Sequence, residues 1–452
     1  GQDGLTSLDD IGSGIASVII DYLENGSMSK LENLKRRYPN DIFQITSIRG
    51  VGPSTTRKLL DNLDIDTVKD LERAAEDGEV SEIPGLGPTT ENRVLEGIET
   101  LRDTEDAVLL STADRISSAI QPELTSHEAV NAVSIAGRQR RRCETVSRIV
   151  FIVSSSRPGD VYEDIKDHAY ITGVQESNES STTYTFAKDG VLVEVETVPP
   201  SQFGSTLFRR TGSIDHVQSV QDLCDLDEHE EEAAVYDAAS LPFIPPEIRE
   251  GRGEVEQATR KELPRLISTD DIRGDLHVHT SWSDGQDSVR DMVRAAERQD
   301  YDYLALTDHS VSSGFAGGLT AKELARKNDV IETANDESSV QVLKGAEVDI
   351  LGDGSLDYDD HVLQQLDVVV ASVHSQFNMD EEAMTRRICE AVKHPEVDIL
   401  GHMTGRLLLE RKGYDVDVES VLRVAAEHDT AVEMNSTPRR LDISADTARH
   451  AK

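Results

Sequence analysis

Residues 274–310 read GDLHVHTSWSDGQDSVRDMVRAAERQDYDYLALTDHS and contain four side chains that can bind a metal ion, His277, His279, Asp284 and His309. The first two histidines are two positions apart, so on a β-strand both imidazoles point to the same face. A loop with the aspartate follows, then a helical segment, and then an apolar strand that ends just before the last histidine. We interpret the segment as a β-α-β unit with ligands at the carboxyl ends of both strands, where barrel enzymes build their sites. A pair of surface histidines is the alternative, but it does not explain why two strand ends carry nitrogen and oxygen ligands together.

The composition is that of an acidic, folded protein. The 452 residues are enough for about three domains, and 86 Asp and Glu residues against 46 Lys and Arg residues give a formal net charge of -40. The acidic residues are spread along the whole chain and apolar periodicity persists, which favours a salt-adapted (halophilic) cytoplasmic protein over a disordered one. Such a charge repels nucleic acid in dilute buffer. At molar salt the Debye length falls to about 3 Å, and local basic contacts then determine binding.

The sequence argues against several other classes of protein. Three cysteines, Cys143, Cys224 and Cys389, are too far apart for a zinc ribbon or a disulfide framework and fit a reducing compartment. There is no secretory signal and no apolar run of transmembrane length, so no membrane partner is expected. The chain starts at Gly1 and stops at Lys452 inside a predicted helix, so we interpret it as an internal fragment of a longer protein.

Three short segments of the N-terminal third, residues 8–20, 45–60 and 81–95, resemble one another. Each has an apolar residue, a tight turn and then a helix, and the glycines of these turns are Gly12, Gly14, Gly50, Gly52, Gly85 and Gly87. Glycine permits close approach of another backbone, and the amides of the following helix can hold a phosphate. The pattern resembles the helix-hairpin-helix motif, which grips the DNA backbone without reading its sequence. The first copy is degenerate, because Asp10 replaces its leading glycine. A plain helical bundle with glycine turns is the alternative.

The middle third adds motifs in a characteristic order. Residues 136–145 read AGRQRRRCET, residues 211–213 read TGS and residues 241–250 read LPFIPPEIRE, and the metal-ligand stretch follows them. This order resembles a family X DNA polymerase of the bacterial and archaeal type, in which a polymerase core precedes a PHP (polymerase and histidinol phosphatase) domain. The resemblance covers essentially the whole chain.

The resemblance implies a multidomain protein. Residues 1–110 would form an all-α helix-hairpin-helix DNA-binding region, and residues 111–247 an α+β polymerase palm and thumb. Residues 248–273 would be a linker. Residues 274–452 would form an α/β PHP barrel of the (β/α)7 type, incomplete at its C-terminus.

The polymerase site that the resemblance implies is degenerate. The family's palm holds two magnesium ions with a Gly-Asp-x-Asp pair and a third carboxylate. Here the two aspartate positions fall on Arg148 and Val150, and the third carboxylate is Glu194. Neither arginine nor valine ligates magnesium, so we expect no Mg²⁺ at this site and no nucleotidyl transfer. The lysine of the family's lyase site is also missing from residues 15–18.

A cluster of arginines remains in the palm, and Arg140 and Arg141 match the family's frame. One interpretation is a patch that contacts DNA phosphates. The other is a set of salt bridges to the acidic surface.

Strand and helix patterns alternate six times from residue 274 onward, which predicts a parallel sheet. Glu347, His374 and His402 follow further strands, so seven candidate ligands lie at the ends of five strands. The resemblance implies up to three manganese or zinc ions bridged by the glutamate, and hydrolysis of phosphoesters. Arg406 and the pair Arg439 and Arg440 could hold the substrate phosphate, and Arg406 is the better candidate because it directly follows a ligand strand. The family closes its site with a further strand that carries an Asp-x-His pair, and these 452 residues do not contain that strand.

The sequence thus predicts a monomeric DNA-repair protein that binds gapped or nicked DNA. Its barrel would act on 3′ ends as a 3′–5′ exonuclease or 3′-phosphatase. Two alternatives stay open, a non-catalytic DNA-binding scaffold with both sites decayed and a small-molecule phosphatase of the histidinol-phosphate type.

Overall fold

The computed structural model describes most of the chain from residue 45 onward. The described residues are 45–46, 51–63, 65–87, 90–91, 94–95, 98, 107–157, 160–161, 171–177, 182–188, 191–226 and 228–452, with 171–177 and 182–188 described by backbone alone.

The described part of the N-terminal third is helical, with helices at Pro53–Asn62 and Val68–Glu76. The first begins directly after Gly52, where a proline suits the opening turn because no amide proton is needed there. The second is capped by Thr67, whose side chain accepts from the Asp70 amide while the Asp70 carboxylate accepts from the Thr67 amide. Buried apolar side chains between residues 45 and 98 form one core, which supports the all-α prediction.

A mixed sheet forms the centre of the middle third. Its described strands are β2 (Val130–Ala136), β4 (Arg148–Ser155), β5 (Ile171–Ser177), β6 (Thr182–Lys188) and β7 (Val191–Val198). Two further strands, β1 (Val108–Leu109) and β3 (Thr145–Val146), form a separate antiparallel pair. The order of the described strands across the larger sheet is β2-β4-β7-β6-β5, and only the central pair β4 and β7 is parallel. The helix Leu110–Thr125 covers one face and buries Ile116 against Phe151 and Val193 in a common core. The arrangement is the predicted α+β class.

A second core lies after this sheet. The helices that build it are Phe203–Thr211, Ile214–Gln221, Glu232–Ala238 and Glu254–Arg260. Phe208, Tyr236 and Val255 are buried together in it. Because residues 254–260 belong to this core, the first part of the predicted linker packs as a helix of the polymerase-like module. The part after it contains one 3₁₀ turn, Thr269–Asp271.

Residues 274–452, all of which are described, form a parallel six-stranded sheet with helices. The strands follow one another in chain order and are β8 (Gly274–Val278), β9 (Tyr303–Leu306), β10 (Gln341–Asp349), β11 (Val368–Ser372), β12 (Ile399–Leu400) and β13 (Ala431–Val432). The helices are Val289–Arg298, Ala321–Glu337, Asp360–Leu363, Glu381–Val392, Val418–His428 and Ala445–Ala451. Runs such as the fully buried β11 suit a sheet covered on its faces. The predicted alternation and the incomplete α/β barrel are therefore confirmed.

None of the described helices is long and apolar enough to cross a lipid bilayer.

Candidate metal centre

The carboxyl ends of β8 to β12 bring the seven predicted ligands together. The ligands lie within these strands or in the segments that follow them. Because parallel strands end at the same edge of a sheet, the ligands meet there. The seven residues form three groups, and within each group the ligand atoms lie within 4.8 Å of one another. The groups are His277, Glu347 and His402; His279, Asp284 and His309; and His309, Glu347 and His374.

Glu347 is the centre of the cluster and is completely buried. Five imidazole nitrogens surround its carboxylate, those of His277 (Nε2, 3.4 Å), His279 (Nε2, 3.2 Å), His309 (Nδ1, 3.0 Å), His374 (Nε2, 3.2 Å) and His402 (Nε2, 3.1 Å). A carboxylate placed among so many imidazoles can bridge ions that those imidazoles hold.

The second nitrogen of several histidines is held by another carboxylate. Glu433 lies 3.2 Å from the buried Nδ1 of His402 without a hydrogen bond to it, and it is hydrogen-bonded to Nδ1 of His277 at 2.5 Å. Asp349 contacts Nδ1 of His374 in the same way. Such contacts fix the ring orientation and raise the basicity of the nitrogen that faces a metal. Neither carboxylate was predicted as a ligand, although Glu433 directly follows β13 in the structure, as the other ligands follow their strands.

The loop that carries Asp284 is held by a buried aspartate, Asp308. Its carboxylate accepts from the backbone amides of Thr280 at 2.9 Å and Ser283 at 3.1 Å. Lys327, also completely buried, lies 3.2 Å from it and balances its charge. Asp284 is thereby brought to 2.7 Å from Nδ1 of His279.

The electrostatics of the cluster are those of a site that exchanges protons for cations. Burial opposes a charge on His277, but the Glu347 and Glu433 carboxylates raise its pKa to about 10. Burial also opposes a charge on His374, whose pKa rises to about 9 beside Asp349 and Glu347. Despite burial, the surrounding imidazoles hold the pKa of Glu347 well below its usual range. Metal binding would release the protons that these imidazoles hold.

The residues fit a cluster of divalent ions. Among the described side chains, both oxygens of Glu347, Nε2 of His279 and Nδ1 of His309 are buried without a hydrogen-bond partner. Their close approaches do not run along hydrogen-bond directions, and buried polar atoms without partners are rare in folded proteins. Ions between them would satisfy all four atoms. A mixed imidazole and carboxylate set suits both manganese and zinc.

Asp442 extends the cluster behind His402 and Glu433. Its ligand atoms lie within 4.8 Å of theirs, and the side chain is 2% exposed. Neither of its oxygens has a hydrogen-bond partner in the described part of the chain. Burial raises the pKa of this carboxyl. No pattern in the sequence marked this residue, because it follows no predicted strand.

Arg406, the predicted phosphate ligand, is engaged elsewhere. It donates to the carbonyl of Leu441 and to the Glu144 carboxylate at 2.7 Å. Its role toward a substrate phosphate stays a prediction.

The residues of the polymerase site that the sequence predicts to be degenerate, Arg148, Val150 and Glu194, lie in a cluster of ion pairs. Val150 on β4 pairs directly with Glu194 on β7. The Glu194 carboxylate is 5% exposed and accepts from Arg148 at 3.0 Å and from Arg210. Two guanidinium groups thus contact the carboxylate that the sequence predicts at the third magnesium-binding position.

The neighbouring arginines are also paired. Arg140 binds Glu232 through both ends of its guanidinium, at 2.8 and 2.7 Å, and Arg141 binds Glu250 at 2.7 Å. Both side chains are mostly buried, at 20% and 9% exposure. Of the two interpretations, the contacts favour salt bridges over a DNA-contact patch, because these groups are not displayed to a ligand.

The helix-hairpin-helix glycines are described in part. Gly12, Gly14 and Gly50 lie outside the described residues. Gly52 and Gly87 have open space where a side chain would be, whereas Gly85 has φ +80° and a Cβ there would approach Lys58 Nζ to 2.9 Å. The turn at residue 85 therefore requires glycine.

Comparison with known proteins agrees with these features. Residues 43–100 match the family model "SAM-like Helix-hairpin-helix tandem", and residues 275–437 match "PHP domain". A "DNA polymerase/3'-5' exonuclease PolX" of Bacillus subtilis (strain 168) is 33% identical over 462 residues, which cover 98% of this chain and 81% of the relative. A "Probable phosphatase" of Thermoanaerobacter sp. (strain X514) is 31% identical over 172 residues, 36% of this chain and 64% of that protein. A "Probable phosphatase" of Syntrophotalea carbinolica is 28% identical over 177 residues, 38% of this chain and 69% of that protein. The chain belongs to the PolX family, the family X DNA polymerases that carry a C-terminal PHP domain.

Proposed function

We propose that the protein is a DNA-repair enzyme whose PHP barrel hydrolyses phosphoesters at DNA 3′ ends, as a 3′–5′ exonuclease or 3′-phosphatase. The observation that carries the proposal is the buried Glu347 carboxylate, encircled by five imidazole nitrogens and lacking hydrogen-bond partners within the described structure. A structural ion pair would not need five imidazoles around one carboxylate.

Bound manganese or zinc ions, up to three, would lower the pKa of a water molecule and neutralise charge on the phosphate in the transition state. The protein's own part is to fix the ligands. Glu347 would bridge ions, while Glu433 and Asp349 orient the imidazoles that face them. Asp284, at 46% exposure, lies on the open side of the cluster, where substrate would enter.

Nucleotidyl transfer is proposed to be absent. Magnesium-dependent transfer needs clustered carboxylates, and Glu194 here is the single carboxylate among the three positions, with Arg148 in ion-pair contact. The palm fold would then serve to hold DNA beside the barrel.

DNA as the substrate is supported by the helix-hairpin-helix match and by the PolX relative, whose name includes both polymerase and exonuclease. The two phosphatase relatives match the PHP part alone and leave the hairpins unexplained. Gapped or nicked DNA is the proposed form, and a monomer the proposed state.

The test is release of nucleotides or phosphate from a 3′-labelled oligonucleotide by the purified protein, with added Mn²⁺ or Zn²⁺ and at molar potassium chloride. Glu347→Gln should abolish release and reduce bound metal, measured by elemental analysis after dialysis. His361→Gln is the control, because its side chain is 72% exposed and belongs to none of the groups of candidate ligands.

Three results would reject the proposal in distinct ways. Metal binding without hydrolysis would favour the scaffold. Hydrolysis of small phosphomonoesters without DNA binding at molar salt would favour the small-molecule phosphatase. Hydrolysis that is unchanged in Glu347→Gln would place the chemistry outside this cluster.

A further inference from the structure

Phe315 is an exposed aromatic residue beside the metal centre. It lies in a 3₁₀ turn, Gly314–Ala316, between β9 and the helix that follows, and 79% of its surface is exposed. Its ring centroid is 6.2 Å from that of His309 and 6.3 Å from that of His374. Both imidazoles belong to the cluster around Glu347, so the ring lies at the edge of the proposed active site.

The loop that presents this ring is held in place on both sides of it. Before the ring, the Ser312 amide donates to Asp357 at 2.7 Å, and the Ser313 hydroxyl donates to Asp349 at 2.8 Å. After it, the Tyr358 hydroxyl donates to the Leu319 carbonyl at 2.6 Å.

Close packing around the ring adds to these hydrogen bonds. Ala316, the next residue, is buried. At Gly318 a Cβ would come within 1.8 Å of the Ser310 carbonyl oxygen, so the backbone there packs too closely for any side chain. The exposure of Phe315 is thus imposed by a fixed loop and does not come from a loose one.

An aromatic face fixed beside a phosphoester-hydrolysing cluster matches the geometry of a nucleotide. The base of a nucleotide is one sugar away from its phosphate, which is also the scale of the separation between the ring and the cluster. Every base has a face that can stack on an aromatic ring, so such a contact tolerates any sequence. Inorganic or sugar phosphates have no such face.

We propose that Phe315 is the platform on which the base of the 3′-terminal nucleotide stacks while its phosphodiester lies at the metal cluster. The inference rests on the proposed function and narrows its substrate to base-bearing 3′ ends. Phe315 would set affinity for the terminal nucleotide and would take no part in bond cleavage, so its removal should raise KM and leave kcat nearly unchanged. Stacking on one base contributes enough that the expected rise in KM is about 10-fold.

The experiment compares wild-type protein, Phe315→Ala and Phe315→Trp, all loaded with Mn²⁺, on two oligonucleotides. One ends in a normal nucleotide and the other in an abasic residue. Phe315→Ala should raise KM about 10-fold on the normal end and change it little on the abasic end, and Phe315→Trp should restore the wild-type value. Val311→Ala is the control, since Val311 is an apolar residue of the same loop that is 45% exposed.

A second readout does not depend on turnover. An oligonucleotide with 2-aminopurine at its 3′ end should lose fluorescence on binding the wild-type protein in Ca²⁺, and should lose much less on binding Phe315→Ala. Metal content by elemental analysis should be equal in both proteins.

The outcomes separate the two proposals. If the wild-type protein cleaves neither oligonucleotide, the proposed function fails. If it cleaves both, and Phe315→Ala has the same KM and the same quenching as wild type on the normal end, the stacking platform is refuted while the phosphoesterase stands. Loss of bound metal together with unchanged quenching in Phe315→Ala would also overturn the inference, because the ring would then act on the ligands alone.

Discussion

Arg406 of the barrel donates a hydrogen bond to the carboxylate of Glu144 in the polymerase-like module at 2.7 Å, and the two side chains are 24% and 32% exposed. The same guanidinium donates to the carbonyl of Leu441, which directly precedes Asp442 at the back of the metal cluster. A second ion pair between the modules joins Arg252 and Asp446 at 2.6 Å. The two modules are therefore joined close to the proposed active site.

The contact between Arg406 and Glu144 should couple the stabilities of the modules. In a double-mutant cycle of Arg406→Ala and Glu144→Gln, we expect a coupling energy of about 1 kcal/mol at low salt, because the pair is partly buried. Urea unfolding at low salt and at molar salt measures it, and the coupling should shrink as salt rises. Strict additivity at low salt would show that the pair makes no net contribution.

Removal of the Glu232 carboxylate should destabilise the polymerase-like module strongly. Glu232 is 8% exposed and binds both Arg140 and the completely buried Arg249, the latter at 2.6 Å. Glu232→Gln leaves buried guanidinium charge without a partner, and the expected loss is about 3 kcal/mol in the free energy of unfolding. Glu228→Gln is the control, because that carboxylate makes exposed hydrogen bonds. A loss of unfolding free energy no larger than that of Glu228→Gln would contradict the predicted role of Glu232.

Glu254 should make stability depend on acid pH. Burial would raise its pKa, but hydrogen bonds from His216 and from the amides of residues 251 and 252 lower it to about 2, against 4.5 for an unperturbed glutamate. A depressed folded-state pKa stabilises the protein above pH 4.5, and this contribution is lost as the pH falls toward 2. The difference in unfolding free energy between wild type and Glu254→Gln should therefore shrink over that window. Glu256→Gln, an exposed neighbour, should show no such trend. A constant difference would argue against the depressed pKa.

The ion pairs on Glu194 should make the palm inert toward nucleotides. We expect no extension of a primer on gapped DNA with Mg²⁺ or Mn²⁺, for the wild type and for Glu194→Ala alike. Because Arg148 is 48% and Arg210 34% exposed, and Arg210 keeps Glu196 as a partner, Glu194→Ala should cost only about 1 kcal/mol of stability. Extension by the wild type that Glu194→Ala abolishes would show that the site still transfers nucleotides.

Most of the barrel's architecture could be predicted from the sequence, because buried apolar strands alternate with helices and polar ligands follow the strands. Glu347, His374 and His402 could be predicted as neighbours in space, since each follows a buried strand and such strands end at one edge. Glu433 likewise follows a strand, β13, but was not predicted as a ligand. Asp442 follows no strand, because a loop brings it to His402, and so no sequence pattern indicated it.

The arginines of the palm show the opposite case. In the sequence, residues 138–142 read as a concentrated basic patch, since four of the five are arginine. Two of their partners, Glu232 and Glu250, lie about a hundred residues away along the chain, and only the fold brings them into contact. Long-range pairing of charges has no local periodicity, so the sequence offered salt bridges as one interpretation but could not identify the partners.

His402 holds a left-handed backbone conformation, with φ 48°, which a non-glycine residue adopts at a cost of about 1–3 kcal/mol. The Tyr414 hydroxyl and the Glu433 carboxylate fix its carbonyl and amide. Glycine would relieve this strain but would remove the imidazole whose Nε2 lies 3.1 Å from Glu347. The cluster therefore obtains this ligand at a cost in backbone energy.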